Sequence, residues 1–259
     1  MRGASPVEVK IFLKIRGYLL TFALREILIA FSMERDMTDG MSLEVETTSD
    51  GSVTLYRDDI DEHYHSVKGA LAESLHVYID CGWRQAAMSR SRVTVFEVGF
   101  GTGLNAALTA KAAVEERIAT DYYAVELYPL SNEMTSLLRG HQSAEYSGFF
   151  EDVNSAAWGE EAQLNPYFRL TKINADFLSM DLPRDLDAVY FDAFAPEKQP
   201  EMWGEDVFRK LYESMAPGGV LTTYCAKGTV RRMLQAVGFT VERLPGPKSG
   251  KREILRATK

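Results

Sequence analysis

Short apolar runs punctuated by glycine, proline and polar clusters fill residues 92–257, and their spacing switches between the period of a strand and that of a helix. Arg92–Val98 is β-branched and aromatic and ends at glycines, which predicts a strand. Leu104, Leu108 and Ala112 share one face, which predicts a helix from Leu104 to about Ile118. The same reasoning predicts strands at Asp121–Glu126, Phe168–Ile173, Asp187–Phe191 and Val220–Tyr224. Helices are predicted from Pro129, a favoured first-turn residue, to about Leu138, and over Glu205–Ser214 and Thr229–Val237. Pro217-Gly-Gly219 reads as a turn, and Phe239–Leu244 and Glu253–Ala257 as a closing hairpin. The polar stretch 140–166 reads as two short helices. Strand and helix thus alternate from 92 to 237, the pattern of an α/β doubly wound parallel sheet, to which the last hairpin adds an antiparallel strand.

Ahead of this core, Asp50-Gly51 forms a turn between candidate strands Leu43–Thr47 and Ser52–Arg57, a small β-hairpin. Glu62–Ser74 reads as a polar loop running into a helix that ends near Ile79. Residues Ile11–Phe31 are apolar but broken by Lys14, Arg16, Arg25 and Glu26. Their longest uncharged stretch, Gly17–Leu24, is too short to cross a bilayer core of ~30 Å, so no membrane partner is expected. No small-residue cleavage site follows, which argues against a signal peptide. The segment reads as an amphipathic helix or as an extension upstream of a later start, with Met33, Met37 and Met41 all following. Residues 1–41 are therefore expected to be an N-terminal extension and 42–259 one main domain.

The net charge of −8 excludes a generally basic coat, but its distribution is uneven. From Lys227 onward nine lysines and arginines face two glutamates, a local +7 against −15 for the rest of the chain. That end can bind a polyanion or form a solvated face. The two cysteines, Cys81 and Cys225, form no disulfide framework and fit a reduced, cytoplasmic compartment. His63 and His65 flank no third or fourth ligand at metal spacing, so no metal site is expected.

Candidate chemistry begins at Glu97-Val-Gly-Phe-Gly-Thr-Gly103, where the first core strand meets its helix. Ligands of such sheets bind beyond the carboxyl ends of the strands. The third glycine falls one residue earlier than in a dinucleotide fingerprint, and an acid precedes the first by two. This spacing suits S-adenosylmethionine, although alone it leaves a structural turn or a nucleotide site open. Glu126 ends the next strand, placed to accept from ribose hydroxyls, in a sequence poorly suited to a surface. Asp176 follows the third strand, placed for the adenine amino group with Phe177 beside the ring, or simply as a helix cap. Asp192-Ala-Phe-Ala-Pro-Glu-Lys-Gln-Pro-Glu-Met-Trp203 follows the fourth strand and is stiffened by two prolines. A carboxylate at Asp192 can orient an acceptor amine and share its proton. Alternatively, Asp192 caps a turn, and Phe194 and Trp203 belong to the core.

The chain resembles the methyltransferase component of the MnmC/MnmD family of tRNA wobble-uridine enzymes across about residues 43–257. The resemblance is carried by Tyr64–Ser74, Glu97–Asn105, Phe191–Trp203, Ala216–Gly219, Thr223–Gly228 with Val230–Arg232, and Leu244–Arg252. It implies a Rossmann-like class I S-adenosylmethionine-dependent methyltransferase with a small N-terminal β-hairpin. The implied reaction converts 5-aminomethyl-2-thiouridine at tRNA position 34 to 5-methylaminomethyl-2-thiouridine. It further implies that Glu97, Gly99, Gly101, Gly103, Asn105, Glu126, Asp176 and Asp192 bind the cofactor. By the same resemblance Asp192 would handle the amine, and Phe194 and Trp203 would shape the base pocket. Tyr56, Ser66, Lys68 and Gly69 would lie near the cofactor or close the pocket. Cys225 stands where the pattern has Ser. The family's flavin oxidase has no counterpart here, so no FAD is expected and a separate enzyme would supply the aminomethyl substrate. Lys227, Arg231, Arg232, Lys248, Lys251 and Arg252 then become candidate contacts to tRNA phosphates, with a flipped wobble base stacking in the cleft. Alternatives on the same fold are a small-molecule amine methyltransferase, an aminopropyltransferase, or a protein that only binds the cofactor.

Overall fold

Buried on both faces, the apolar runs of the core form five parallel strands, and antiparallel strands finish both edges of their sheet. The computed structural model describes residues 10–15, 18–23, 36–38, 41–88, 90–248 and 252–259. Strands in chain order are β1 (Lys10–Ile15), β2 (Tyr18–Ala23), β3 (Asp36–Thr38), β4 (Met41–Thr47), β5 (Val53–Arg57), β6 (Glu62–His63) and β7 (Arg92–Val98). They continue as β8 (Ala119–Glu126), β9 (Glu161–Asn165), β10 (Phe168–Asn174), β11 (Leu186–Phe191), β12 (Met215–Thr223), β13 (Thr240–Pro245) and β14 (Glu253–Thr258). The main sheet runs β13-β14-β12-β11-β7-β8-β10-β9. β12, β11, β7, β8 and β10 are parallel, whereas β9, β13 and β14 are antiparallel to their neighbours. Because β7 sits between β8 and β11, the strand order reverses there, and the carboxyl ends at that reversal frame a crevice.

Helix α1 spans residues 70–87. It is α-helical over Ala70–Ser74, π-helical over Leu75–Trp83 and α-helical again over Arg84–Ala87. It runs well past the expected end at Ile79. The others are α2 (Leu104–Glu116), α3 (Asn132–Arg139), α4 (Ser147–Ser155), α5 (Glu205–Ser214) and α6 (Gly228–Val237). Two apolar clusters cover the sheet. One packs α1, α2 and α4 around Trp83, Tyr122 and Phe150. The other packs α5 and α6 around Phe191, Trp203 and Phe208.

Four details depart from the sequence reading. Helix α3 begins at Asn132 rather than Pro129, because Ser131 caps it by accepting from the Met134 N–H at 3.2 Å. The stretch 140–166 holds one helix and one strand, since β9 pairs with β10. Pro217-Gly-Gly219 lies inside β12, where it takes up a register shift against β11. In place of an amphipathic helix over 11–31, Lys10–Ile15 pairs antiparallel with Tyr18–Ala23, as their branched and aromatic residues favour. The rest of that segment lies outside the described residues.

The N-terminal sheet has the order β3-β4-β5-β6, so the boundary at 41/42 falls within a strand and residues 36–38 join the small sheet. The Asp50 turn anchors α1. Its Oδ2 accepts the Ala72 N–H at 3.0 Å, and Ser52 Oγ accepts that of Leu71 at 3.2 Å. Burial works to raise the Asp50 pKa, but hydrogen bonds from Ser52, Thr48 and the Ala72 backbone outweigh it and hold the carboxyl below its ordinary value. Among the described residues no helix is long and apolar enough to cross a membrane.

Candidate active site

Beyond β7, β8 and β11 lies a cavity of about 600 Å³. Its floor is the glycine loop. The Gly99 and Phe100 N–H groups both donate to the Val125 carbonyl at 3.1 Å, pinning β7 to β8 as the chain turns. Gly99 has φ +88°, and a Cβ there would stand 2.9 Å from the Asp192 carbonyl oxygen. Gly103 caps α2 at φ +82°, where a Cβ would meet the Phe100 ring at 2.8 Å. Both positions therefore require glycine for conformation and for close approach.

Glu126 lies at the cavity wall with both oxygens fixed. Oε2 accepts the Gly101 N–H and Oε1 the Tyr128 N–H, each at 3.0 Å. Burial raises its pKa, and these backbone bonds oppose the shift. Asp176 and Phe177 line the cavity beside it. Asp176 Oδ1 accepts the Leu178 N–H at 2.9 Å, so this cavity-lining residue also caps its turn.

Asp192 lines the wall next to Gly99. The Tyr78 hydroxyl donates to Oδ1 at 2.5 Å, and Asn105 Nδ2 donates to Oδ2 at 2.8 Å. Asn105 also donates to Glu97 Oε1 at 2.9 Å. Glu97 is fully buried, and burial first, then the Asp192 charge, pushes its pKa well up, favouring the neutral form despite the Asn105 bond. Glu97, Asn105 and Gly103 do not line the cavity. They stand one layer behind it and couple the start of α2 to the Asp192 carboxylate.

Phe194 lines the mouth. Its ring meets Tyr64 edge-on at 5.3 Å, and the Arg57 guanidinium lies 5.5 Å from its centre. Trp203 does not line the cavity. It is buried against Phe191 and Phe208, and its indole N–H donates to the Phe194 carbonyl at 2.7 Å, bracing the loop from behind. Ser66 lines the cavity, whereas Gly69 faces Asp50 and Lys68 lies outside. Tyr56 turns away, its hydroxyl donating to Asp61 at 2.9 Å. The neighbouring Arg57 enters the cavity instead, because successive strand residues face opposite ways.

Arg57, Tyr64, Glu73, Tyr78 and Tyr224 are site residues that sequence reasoning missed. Tyr64 and Glu73 lay within the Tyr64–Ser74 motif. Tyr78 sits on the π-helical turn, whose wider spacing no periodicity rule anticipates. Tyr224 directly follows β12 and donates to the Ala193 carbonyl at 2.8 Å.

Of the basic end, Lys227 pairs with Glu197 of the Asp192–Trp203 loop, whereas Arg232, Lys248 and Arg252 are exposed and Arg231 is half-buried. β14 runs antiparallel to β12, so the turn after Pro245 lies on the same edge as the cavity. Lys251 lies outside the described residues. Arg243 and Arg256 are bound to Glu253 and Glu242. Among the described residues no group of three acids, histidines or cysteines could hold a metal.

Residues 151–259 match a family described as S-adenosyl-L-methionine-dependent methyltransferase. A tRNA 5-methylaminomethyl-2-thiouridine biosynthesis bifunctional protein MnmC from Cupriavidus necator is 35% identical over 202 residues, 72% of this chain and 30% of that protein. The protein of the same name from Magnetococcus marinus is 32% identical over 78% of this chain and 32% of its own. The chain thus spans about a third of the length of these relatives. The crystal structure of MNMC2 from Aquifex aeolicus superposes with a TM-score of 0.71 at 25% identity, over 90% of this chain and 74% of that one. A spermidine synthase from Thermotoga maritima shares the fold, with a TM-score of 0.57 at 12% identity over 100% of this chain and 81% of that one. The chain thus has the fold of the class I S-adenosyl-L-methionine-dependent methyltransferases, its residues 151–259 match that methyltransferase family, and over most of its length it is similar to one part of the MnmC proteins.

Proposed function

We propose that this protein methylates the primary amine of 5-aminomethyl-2-thiouridine at the tRNA wobble position, in the cytoplasm. The observation that carries the reading is Asp192, a carboxylate on the cavity wall with one oxygen held by Tyr78 and the other by Asn105. Such rigidity suits the alignment of an amine for displacement at carbon.

The cavity fits S-adenosylmethionine. Gly99 and Gly101 leave its floor without side chains, Glu126 stands at the end of β8 for ribose hydroxyls, and Asp176 with Phe177 suits adenine. The bound cofactor supplies an electrophilic methyl group on a sulfonium. An alkylamine arrives largely as its ammonium. Asp192 would attract that cation, orient the nitrogen and take up its proton, leaving a neutral amine with its lone pair free. The product is a secondary ammonium.

The tRNA part of the reading is supported by the names of the relatives and by the basic residues at the cavity edge. Incubating the protein with S-adenosylmethionine and tRNA bearing the aminomethyl group should yield the methylaminomethyl nucleoside on nucleoside analysis. Methylation of a polyamine panel but of no tRNA would favour a small-molecule enzyme instead. Reversing Lys248 and Arg252 together to Glu should weaken tRNA binding about tenfold at low salt and flatten its salt dependence by one to two phosphate equivalents. Unchanged affinity would remove this edge from the tRNA interface.

A further inference from the structure

We infer that Lys210 on α5 is a positioning residue for the adenine ring of the cofactor, acting through Phe177 and Asp176. The inference rests on the placement of adenine at those two residues above and deepens it. Lys210 does not itself line the cavity. Its ammonium donates to the Phe177 carbonyl at 2.5 Å and to the Leu178 carbonyl at 3.3 Å, and it lies 4.8 Å from the centre of the Phe177 ring. One cation thus holds both the backbone and the ring of a cavity-lining residue.

The turn explains why a cation is useful there. β10 ends at Asn174, and the chain turns at once. The Asp176 carbonyl accepts the N–H groups of Ser179 and Met180, each at 3.1 Å, and Asp176 Oδ1 accepts that of Leu178. The next two carbonyls, of Phe177 and Leu178, are the ones that Lys210 takes. Phe177 is buried, with its ring centre 6.3 Å from that of Phe96 on β7. Its place is therefore set by β7 and by Lys210 together. A charged donor makes stronger hydrogen bonds than a neutral one, and its attraction to a ring grows as water is excluded. Burial lowers the Lys210 pKa, while the charges of Asp181 and Asp176 oppose the shift.

Helix α5 gives this contact a wider reach. It begins at Glu205, just after the Asp192–Trp203 loop, and its Phe208 packs against Trp203 with ring centres 6.4 Å apart. The helix that braces the acceptor loop thus also carries the cation that fixes the adenine wall. A base recognised through its 6-amino group needs the accepting carboxylate and the flanking ring held to within ~0.5 Å. Lys210 supplies that constraint from behind the wall.

The experiment measures calorimetric binding of S-adenosylhomocysteine and of S-inosylhomocysteine, in which an oxygen replaces the 6-amino group. Wild type should prefer the adenine compound by about tenfold or more, because an oxygen facing Asp176 leaves two acceptors opposed. Lys210→Met keeps an unbranched stem and removes the donors. It should bind S-adenosylhomocysteine about 3- to 10-fold more weakly and S-inosylhomocysteine less than about twofold more weakly, so that the preference shrinks. Lys210→Gln, which retains a neutral donor, is the second variant and should fall between the two. Wild-type preference in both variants, or a loss equal for the two compounds, overturns the role of Lys210 alone. Wild type that binds both compounds equally overturns the placement of adenine at Asp176 instead.

Discussion

Replacing Asp192 with asparagine is expected to slow methyl transfer by about 10²- to 10⁴-fold, the range attributable to a positioned acid–base group. Asparagine is close in size, so the Gly99 contact and the loop should survive. What changes is hydrogen bonding. Tyr78 and Asn105 both donate to the carboxylate, and an amide has only one accepting oxygen for the two of them. Its NH₂ group must face one of these donors, and the buried clash displaces the side chain or leaves a donor unpaired. The negative charge that attracts an ammonium is lost as well. Affinity for S-adenosylmethionine should change only a fewfold, because Gly99, Gly101 and Glu126 are untouched. Single-turnover methylation and calorimetric cofactor binding, measured side by side, test this. Equal rates for the variant and wild type would make Asp192 a structural cap, and a protein that only binds the cofactor would become the better reading.

The alternation of strands and helices was legible because each element buries a simple apolar stripe. Arg92–Val98 and Glu205–Ser214 match their observed limits. The site was legible where chemistry follows a strand end directly, at Gly99, Gly101, Glu126, Asp176 and Asp192. Distinctions of depth were not legible. Glu97 and Asn105 share a motif with lining residues, yet they face the sheet interior, and Trp203 stands behind Phe194 rather than beside it. Such differences depend on which neighbour fills the space, and local spacing carries no record of that. Tyr78 illustrates the same limit, since its reach to Asp192 across 114 residues depends on a π-helical stretch shaped by packing against β11 and β12. The N-terminal sheet was recognised as a hairpin, but its delivery of Arg57 and Tyr64 to the cavity follows from docking. Gly101 records that docking, since a Cβ there would lie 3.1 Å from the Tyr64 ring.

Lys172 on β10 links stability to the cofactor loop. It is 1% exposed, its ammonium lies 4.9 Å from the Trp158 ring centre and 5.3 Å from that of Phe100, and it donates to the Asn154 carbonyl at 2.9 Å. Burial brings its pKa down from 10.5 to about 8. Between those values the unfolded chain holds more protons than the folded one, so stability rises with pH across that window, and the cost of the buried charge is fully present below about 8. At neutrality that cost is on the order of 3 kcal/mol. Between pH ~7.5 and ~9.5 wild type should therefore gain about 2 kcal/mol more unfolding free energy than Lys172→Met, as read from denaturant titrations at each pH. Parallel pH dependences would show that the ammonium is better solvated than its burial implies. The cation persists, on this account, because of what it holds. Asn154, whose carbonyl it binds, donates from Nδ2 to the Thr102 carbonyl in the glycine loop at 3.1 Å. Lys172→Met should thus also weaken S-adenosylmethionine binding severalfold at pH ~7, even if the variant unfolds no more easily than wild type.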